Sequence, residues 1–384
     1  MAMEFNIRPI VKKEFRQIGR DKRTLAVLLL IPALLLILYG YALNLDVNHL
    51  KMAVFDQEWS SASRTFAGSF AHSGYFDHVY SISDEAEIQG LIDRGEAVVV
   101  LVIPTYFSKD LEKGKDVKVQ VIVDGSNSNT ATTALGYINA IVRDYSNDRF
   151  LRQMERRGLR ISLVPIDLRP RIWYNPELKT STFLVPGLIG VILMITTVVS
   201  TALSVVREKE RGTMEQIIVS PIKPVELIVG KTIPYFLISF VASILILIVG
   251  RVLFGVVVVG NPLLLALSLA IFLLGSLGVG LLVSTMAQTQ QVAFMVAVTI
   301  SMLPSFVLSG FVFPISSMPL AVQATTYLVS ARYFLIALRG IILKGAGLSA
   351  YWEQLVFLAI FAFLMMFIAT VRLRRELSPS GAHT

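Results

Sequence analysis

The chain has 384 residues, of which 54% are hydrophobic and 16% are charged, and its formal net charge is +8 at pH 7. This apolar excess is typical of a membrane protein and excludes an ordinary soluble domain. Many basic residues flank long apolar runs and the rest are mixed with acidic ones, so the charge does not indicate nucleic-acid binding. Cysteine is absent, which excludes disulfide bonds and thiolate metal sites.

The N-terminal segment, residues 1–23, has apolar side chains at helical steps of three and four with cations between them. This pattern predicts a cytoplasmic amphipathic helix that lies in the membrane interface and contacts lipid headgroups with its cations. An unstructured basic tail is the alternative. The apolar face is predicted to include Ile7, Val11, Phe15 and Ile18.

Six runs approach the length of about 20 largely apolar residues that a membrane-spanning helix needs. The first is 24–45, and residues 181–371 are predicted to form a five-span domain. Its spans are predicted at 183–206, 233–250, 263–287, 292–313 and 355–371. The first run also follows a basic stretch, as a signal peptide does, but it is long for one and lacks a clear cleavage site. An uncleaved anchor is therefore favoured over a signal peptide.

Between the first and second runs, residues 46–180 have the composition of a water-soluble domain. Short β-branched runs alternate with helical patterns, which predicts a small α/β domain. The histidines His49, His72 and His78 lack ligand-like spacing, so neither a metal nor a cofactor is expected here.

The loop 207–231 carries five basic residues between two apolar runs, which predicts that it is cytoplasmic. Both termini, including the tail 372–384, are then cytoplasmic, and 46–180 lies outside. Residues 208–215 place charges at helical i, i+4 spacing before Ser220-Pro221 ends any helix. A short charged helix of this kind is typical of a surface that a soluble partner contacts.

The tripeptide Gly230-Lys231-Thr232 resembles the end of a phosphate-binding loop. Such a loop needs another glycine five positions earlier, where this chain has Val225, and Pro234 and an apolar run follow. The tripeptide is therefore not interpreted as a nucleotide site, and no catalytic constellation is found elsewhere.

Small residues recur every fourth position in the fourth apolar run, at Ser276, Gly280 and Ser284. Such a stripe predicts close packing of helices within or between subunits. Residues 314–350 are too polar and broken to span the membrane. They are predicted to form short amphipathic helices that dip back into the outer leaflet, as an external re-entrant segment.

Taken together, these segments resemble the permease of a type-2 ABC exporter, in the branch with a large external domain after the first span. The resemblance covers nearly the whole chain and depends most on Arg207-Glu-Lys-Glu-Arg-Gly-Thr-Met-Glu-Gln216 with Ser220-Pro221. The fold that it implies is a polytopic α-helical membrane protein with six transmembrane helices and an inserted α/β extracytoplasmic domain.

The resemblance implies two copies of the permease, as a homodimer or a heterodimer with a related chain, joined to a dimer of cytoplasmic ABC ATPase subunits. ATP and magnesium would bind in those partners and not in this chain, which would be a transport subunit and not an enzyme. A periplasmic adaptor is a further partner of such permeases. The ATPase-coupling helix would contain Glu208, Glu210, Arg211, Gly212, Thr213 and Glu215.

The implied location is the bacterial cytoplasmic (inner) membrane. The expected cargo is an amphipathic compound, such as a drug, dye or lipid, moved out of the cytoplasm or the inner leaflet. Spans with few ionisable residues argue against an inorganic ion as cargo and against a secondary transporter. A membrane-anchored receptor or scaffold that acts through its external domain is the alternative.

Overall fold

A computed structural model describes residues 7–43, 49–156, 173–175, 179–214 and 223–376. The chain divides into two compact units. The larger, which we call the bundle, contains Met1–Asn44 and Arg171–Thr384, and the smaller, which we call the sheet unit, is Leu45–Pro170. The sequence prediction placed the end of the inserted domain at residue 180, whereas Trp173 and Tyr174 belong to the bundle.

Two helices begin the bundle. Helix α1 (Arg8–Arg20) starts at a proline in its first turn and is followed directly by α2 (Lys22–Ala42). Proline suits the first turn of a helix because the amide there has no intrahelical acceptor. Helix α2 is apolar for most of its length and continues through Pro32.

The sheet unit has a four-stranded sheet in the order β2-β1-β3-β4. Strands β1, β2 and β3 are parallel, and β4 pairs antiparallel with β3. The strands are β1 (Leu50–Asp56), β2 (Phe76–Ile82), β3 (Val99–Ile103) and β4 (Gln120–Val123). The helices are α3 (Ser61–Ala71), α4 (Ala86–Asp93), α5 (Phe107–Glu112) and α6 (Ser128–Arg156).

Alternation along the central strand β1 builds a core on each face of the sheet. Met52 and Val54 pack on the side of α3, α5 and α6, whereas Ala53 and Phe55 pack on the side of α4. Successive side chains of a strand point to opposite faces, so an unbroken apolar run is buried on both sides. This sheet lies within the segment in which the sequence predicted strands that alternate with helices.

Glu58 joins the segments that follow β1 and β3. Its carboxylate accepts hydrogen bonds from the backbone amide and the hydroxyl of Ser108 and from the hydroxyl of Ser60. Desolvation by burial raises the pKa of Glu58, but these bonds outweigh it and hold the pKa below its ordinary value.

The second part of the bundle begins with three long helices, α7 (Thr180–Glu210), α8 (Pro224–Phe254) and α9 (Pro262–Met286). It continues with α10 (Gln290–Val307), α11 (Leu320–Thr326), α12 (Ser330–Ile342) and α13 (Trp352–Glu376). Six helices among the described residues are long and apolar enough to cross a membrane: α2, α7, α8, α9, α10 and α13. The prediction of six such helices is confirmed.

Helix ends are set by local side chains and by glycine. Asn261 caps α9, where its side-chain oxygen accepts from the amide of Leu263, and Thr289 caps α10 in the same way. Gly255 ends α8 in the left-handed conformation, with φ of 67°. Helix α10 stops at Val307, whereas the sequence predicted a run to residue 313.

Helices α7 and α9 form the centre of the bundle. In their most apolar stretches 67% of the residues are buried within the chain, compared with 22% in α2, α10 and α13. The short helix α12 also lies in this core, where the ring of Phe334 stacks on Phe272 of α9. The predicted segment 314–350 therefore does contain short helices, and one of them packs deeply inside the bundle.

Candidate functional site

Helix α1 is held against protein by its apolar residues. Ile10 packs in a cluster with Val205 and Leu227, and Ile18 packs against Tyr235 and Leu277. A Cβ atom at Gly230 would lie 2.5 Å from the Ile10 side chain, so glycine permits the close approach of α1 and α8.

These contacts change the predicted lipid face of α1. Ile18 is 3% exposed and faces protein, so the prediction that it meets lipid is wrong. Ile7 and Val11 are half-buried, and Phe15 remains exposed. Phe15 is therefore the member of the predicted set best placed to contact acyl chains.

Between the two isoleucines, the same face of α1 carries a buried carboxylate. Lys231 Nζ of α8 lies 3.1 Å from Glu14 Oε1 and 2.9 Å from Glu208 Oε2 of α7. Lys13 Nζ lies 2.6 Å from the other oxygen of Glu208. We call these four residues the ion cluster: Lys13, Glu14, Glu208 and Lys231.

Three members of the ion cluster are almost completely shielded from solvent. The exposed fractions of Glu14, Glu208 and Lys231 are 2%, 4% and 2%. A charge buried this deeply is tolerated only when opposite charges compensate it, and removal of one partner typically costs about 3–5 kcal/mol. The cluster therefore ties α1, α7 and α8 to one another.

The neighbours of Glu208 are tied to further helices. Arg207 Nη1 lies 3.6 Å from Oδ2 of Asp21, the residue that joins α1 to α2. Lys209 Nζ lies 2.9 Å from Glu376 Oε1 at the end of α13 and donates to the carbonyl of Ser284 in α9. We call residues 207–210 the charged end of α7.

The last residue of α7, Glu210, contacts the start of α10. Its carboxylate accepts from the backbone amide of Gln290 at 2.6 Å and from the Gln290 side-chain amide. Four consecutive residues thus connect α7 to α1, α8, α9, α10 and α13 and to the junction before α2. A displacement of this end would be felt by every candidate span.

The predicted helix 208–215 is divided in the structure, with residues 208–210 at the end of α7 and residues 213–214 helical again after a turn. Helix α7 runs without a break from Thr180 to Glu210, and Gly212 has φ of 67°. Thr213 Oγ1 donates to the carbonyl of Glu208, and Met214 is buried. The site predicted for a partner therefore starts as the last turn of a span.

Exposure divides the predicted coupling residues into two groups. Glu208 is buried in the ion cluster and cannot touch a partner directly in this conformation, whereas Glu210, Arg211 and Gly212 are exposed. Glu215, like residues 216–222, lies outside the described residues.

The small residues of α9 face α7 within the same chain. Ser276 and Ser284 are fully buried, and a Cβ atom at Gly280 would lie 2.6 Å from the Val198 carbonyl oxygen. Ser276 Oγ donates to the Phe272 carbonyl and lies 3.1 Å from Met194 Sδ. The stripe accounts for the close contact of the two central helices.

A cleft of about 550 Å³ opens between α2, α7, α8 and α10. Its wall is mainly aliphatic, with Thr196, Ser200 and Ser204 of α7 as polar points and Arg207 at one end. Its volume is within the range of about 300–1,000 Å³ that small-molecule sites occupy. The cleft thus joins an apolar wall to the charged end of α7.

Sequence reasoning did not select Glu14, and it treated Lys231 only as a loop cation and part of a rejected nucleotide motif. A signal for Glu14 was available, because it lies four residues from both Ile10 and Ile18 on the apolar face of α1. The structure places Lys231 inside the ion cluster. Within the described part of the chain, no group of three or more metal-ligating side chains occurs.

Comparison with known proteins agrees with this architecture. Residues 22–371 match the family described as ABC-2 family transporter protein. The chain is 33% identical over 372 residues to the probable multidrug ABC transporter permease YbhS of Escherichia coli K12, which covers 97% of each chain.

Two further Escherichia coli K12 permeases are similar over most of their length. The probable multidrug ABC transporter permease YbhR is 32% identical, with 90% of this chain and 92% of YbhR covered. The inner membrane transport permease YhhJ is 28% identical, with 86% and 87% covered. With six apolar helices and a family match that spans nearly all of them, the chain belongs to the ABC-2 family of transporters, as a permease subunit whose ATPase is a separate chain.

Proposed function

We propose that the chain is the permease of an ATP-driven exporter and that the charged end of α7 receives the motion of the ATPase. The observation that carries this proposal is the set of contacts from residues 207–210 to the other helices of the bundle. A push on the exposed residues Glu210, Arg211 and Gly212 is passed through α7 and the ion cluster to α1 and α8. This is rigid-body switching by packed helices.

The docking surface for the ATPase is built from Glu210, Arg211, Gly212 and Thr213, together with Glu215 from the adjoining loop. Arg211 makes no ion pair among the described residues, so its charge is available to a partner. Glu208 acts from inside the bundle, where it holds α7 to α1 and α8. The loop is cytoplasmic because cations concentrate at this end, with Arg374 and Arg375 beside those of α7.

The cargo proposed here is an amphipathic compound, such as a drug, dye or lipid. The cleft between α2, α7, α8 and α10 supports it, because an aliphatic wall suits an apolar body and Arg207 suits a polar or anionic end. The relatives that carry the word multidrug in their names fit the same cargo.

The proposed assembly contains two permeases and two ATPase subunits in the inner membrane, with ATP and magnesium in the ATPases. The sheet unit is proposed to lie outside the cytoplasm, where a periplasmic adaptor could contact it. Both chain termini are proposed to be cytoplasmic, and the amphipathic helix α1 contacts lipid through Phe15.

Transport in inside-out membrane vesicles tests the direction and the coupling together. With the permease and its ATPase expressed together, a lipophilic dye with a polar or anionic end should accumulate inside the vesicles only when ATP is present. Arg211→Glu should lower both dye uptake and the amount of ATPase that co-purifies by at least about tenfold, because like charges at a docking surface oppose binding.

The control is Arg374→Glu, which reverses an exposed cation at the same end of the bundle that is not part of the proposed docking surface. It should leave uptake and co-purification unchanged. ATP-dependent loss of dye from preloaded inside-out vesicles would contradict export. Full ATPase retention by the Arg211→Glu variant would contradict the proposed docking surface.

A further inference from the structure

Arg339 of α12 is held at the end of the bundle opposite to the charged end of α7. Its guanidinium donates to the carbonyls of Gly310 at 3.1 Å and Phe311 at 3.4 Å. The guanidinium carbon also lies 4.0 Å from the ring centroid of Phe183, near the start of α7. These contacts fix the position of the group at the junction of α7, α10 and α12.

Within the described ranges, the charge of this guanidinium has no acidic partner. Among the described residues no carboxylate lies within ion-pair distance of Arg339, and its Nε atom is buried without a hydrogen-bond acceptor. A guanidinium has five N–H donors and does not lose its proton in proteins. Two carbonyls and one ring face therefore leave several donors, and a full positive charge, without compensation.

The guanidinium of Arg339 packs closely against α7, and one edge of its site is exposed. Gly187 lies beside it, where a Cβ atom would come within 3.2 Å of Nη2 and would also meet the Phe311 ring. Phe183, whose ring lies against the guanidinium, is 43% exposed, so this edge of the site reaches the surface of the bundle.

Other side chains place this edge at the level of lipid headgroups. Trp173 and Tyr174 are 64% and 52% exposed, and Lys344 Nζ lies 5.9 Å from the Tyr174 ring. Exposed aromatic residues and cations beside the end of an apolar helix are the anchors that proteins present to the membrane–water interface. The most abundant acceptor at that depth is the phosphate of a phospholipid.

We propose that Arg339 is a binding site for a phosphate-type oxyanion and that a phospholipid headgroup supplies it. A guanidinium matches two phosphate oxygens with a pair of parallel N–H donors, and the two carbonyl contacts of Arg339 use two of its five N–H groups. The bound headgroup holds α12 against α7 and α10 at this edge. The proposal does not depend on the direction of transport or on the ATPase.

The competing explanation is that Arg339 only caps the two carbonyls that follow α10. The explanations differ in their dependence on lipid, because a cap needs no phosphate. The full chain in a non-ionic detergent, stripped of bound lipid, is titrated with phosphatidylglycerol while its thermal unfolding is followed. Two further titrations are made, one with diacylglycerol that has the same acyl chains and one with inorganic phosphate.

Phosphatidylglycerol should raise the unfolding midpoint of the wild-type chain, whereas diacylglycerol should not. Arg339→Gln should weaken the apparent lipid affinity by at least about fivefold, and Arg339→Lys should be intermediate because it keeps the charge but not the paired donors. Arg251→Gln removes an exposed arginine at the same end of the bundle and should behave as the wild type.

If inorganic phosphate at low concentration raises the unfolding midpoint as much as phosphatidylglycerol does, Arg339 binds an anion but the proposed phospholipid ligand is wrong. Equal responses to phosphatidylglycerol and diacylglycerol would overturn the whole proposal, and so would full lipid affinity in a folded Arg339→Gln protein. If Arg339→Gln does not fold, the wild-type comparison of the two lipids and the Arg339→Lys titration still decide.

Discussion

The ammonium group of Lys231 contacts carboxylates from two other helices while it is 2% exposed. In such a setting the energetic effect of a substitution depends on which charges it leaves behind. An orphaned buried charge is expensive, whereas removal of a whole ion pair in favour of apolar side chains is often neutral. A single substitution that orphans a buried charge should therefore destabilise the protein, and a second substitution that removes the orphaned partner should restore part of that stability.

We expect Lys231→Met to destabilise the protein by about 3–5 kcal/mol, because Glu14 and Glu208 lose their shared cation. The double variant Glu14→Leu with Lys231→Met should be more stable than the single one, since Lys13 still compensates Glu208. Thermal unfolding of the detergent-solubilised chain measures both.

Lys223→Met is the matched control, because Lys223 is an exposed cation at the start of the same helix. Its unfolding midpoint should equal that of the wild type. A single Lys231→Met variant with wild-type stability, or a double variant no better than the single one, would show that the ion cluster does not hold α1 to the bundle.

The members of the ion cluster show what sequence alone can reach at this scale. The charge of the 207–231 loop is visible in the sequence, and so is the amphipathic pattern of α1. Which cation meets which carboxylate is not visible, because Glu14 and Lys231 are separated by more than 200 positions. Such a pair is defined only after α1 packs on α8.

At the scale of elements, the contact between α7 and α9 depends on one missing side chain. The position of Gly280 against the Val198 carbonyl leaves no space for a Cβ atom, which would also lie 2.8 Å from Thr201 Cβ of the same helix, α7. Interiors packed this closely respond to added volume by shifts of backbone and side chains.

Gly280→Val should therefore separate the two central helices and destabilise the protein by at least about 1–3 kcal/mol, the usual effect of overpacking. Leu267→Val on the lipid-exposed side of α9 controls for the introduction of a β-branched residue into the same helix. Unfolding midpoints of the two variants give the comparison. A Gly280→Val protein as stable as the Leu267→Val protein would contradict the close contact.

Helices with long apolar segments can be predicted from the sequence, whereas the residues at which they end are harder to predict. Six apolar helices follow from composition and length, as do the strands of the sheet unit. The sequence predicts the end of this span at residue 206, because charged residues follow it, whereas α7 extends through Glu210. Gly212, in the left-handed conformation, was the better stop signal.

At the scale of the whole molecule, we propose that the charged end of α7 faces the cytoplasm and that residues 46–180 lie outside the cytoplasm. The charged end of α7 and the end of α13 share one face of the bundle and carry several cations, which predicts a cytoplasmic face. The chain has no cysteine, so one introduced cysteine reports on one position only.

We expect Lys109→Cys in the sheet unit to react with a membrane-impermeant maleimide in cells whose outer membrane has been permeabilised. Arg374→Cys should react only after the inner membrane is opened. Both positions are exposed, and the unmodified cysteine-free chain gives the background. Reaction of both variants from the same side would contradict the proposed orientation.

The charges of the ion cluster have an electrical consequence. Lys13 and Lys231 cancel Glu14 and Glu208, so the group has no net formal charge. Transfer of one elementary charge across the membrane requires about 2.3 kcal/mol per 100 mV. Because the four charges are held within ion-pair distance, a joint movement of the ion cluster transfers almost none. The ion cluster should therefore add no dependence on membrane potential to the cycle, although it contains four charges.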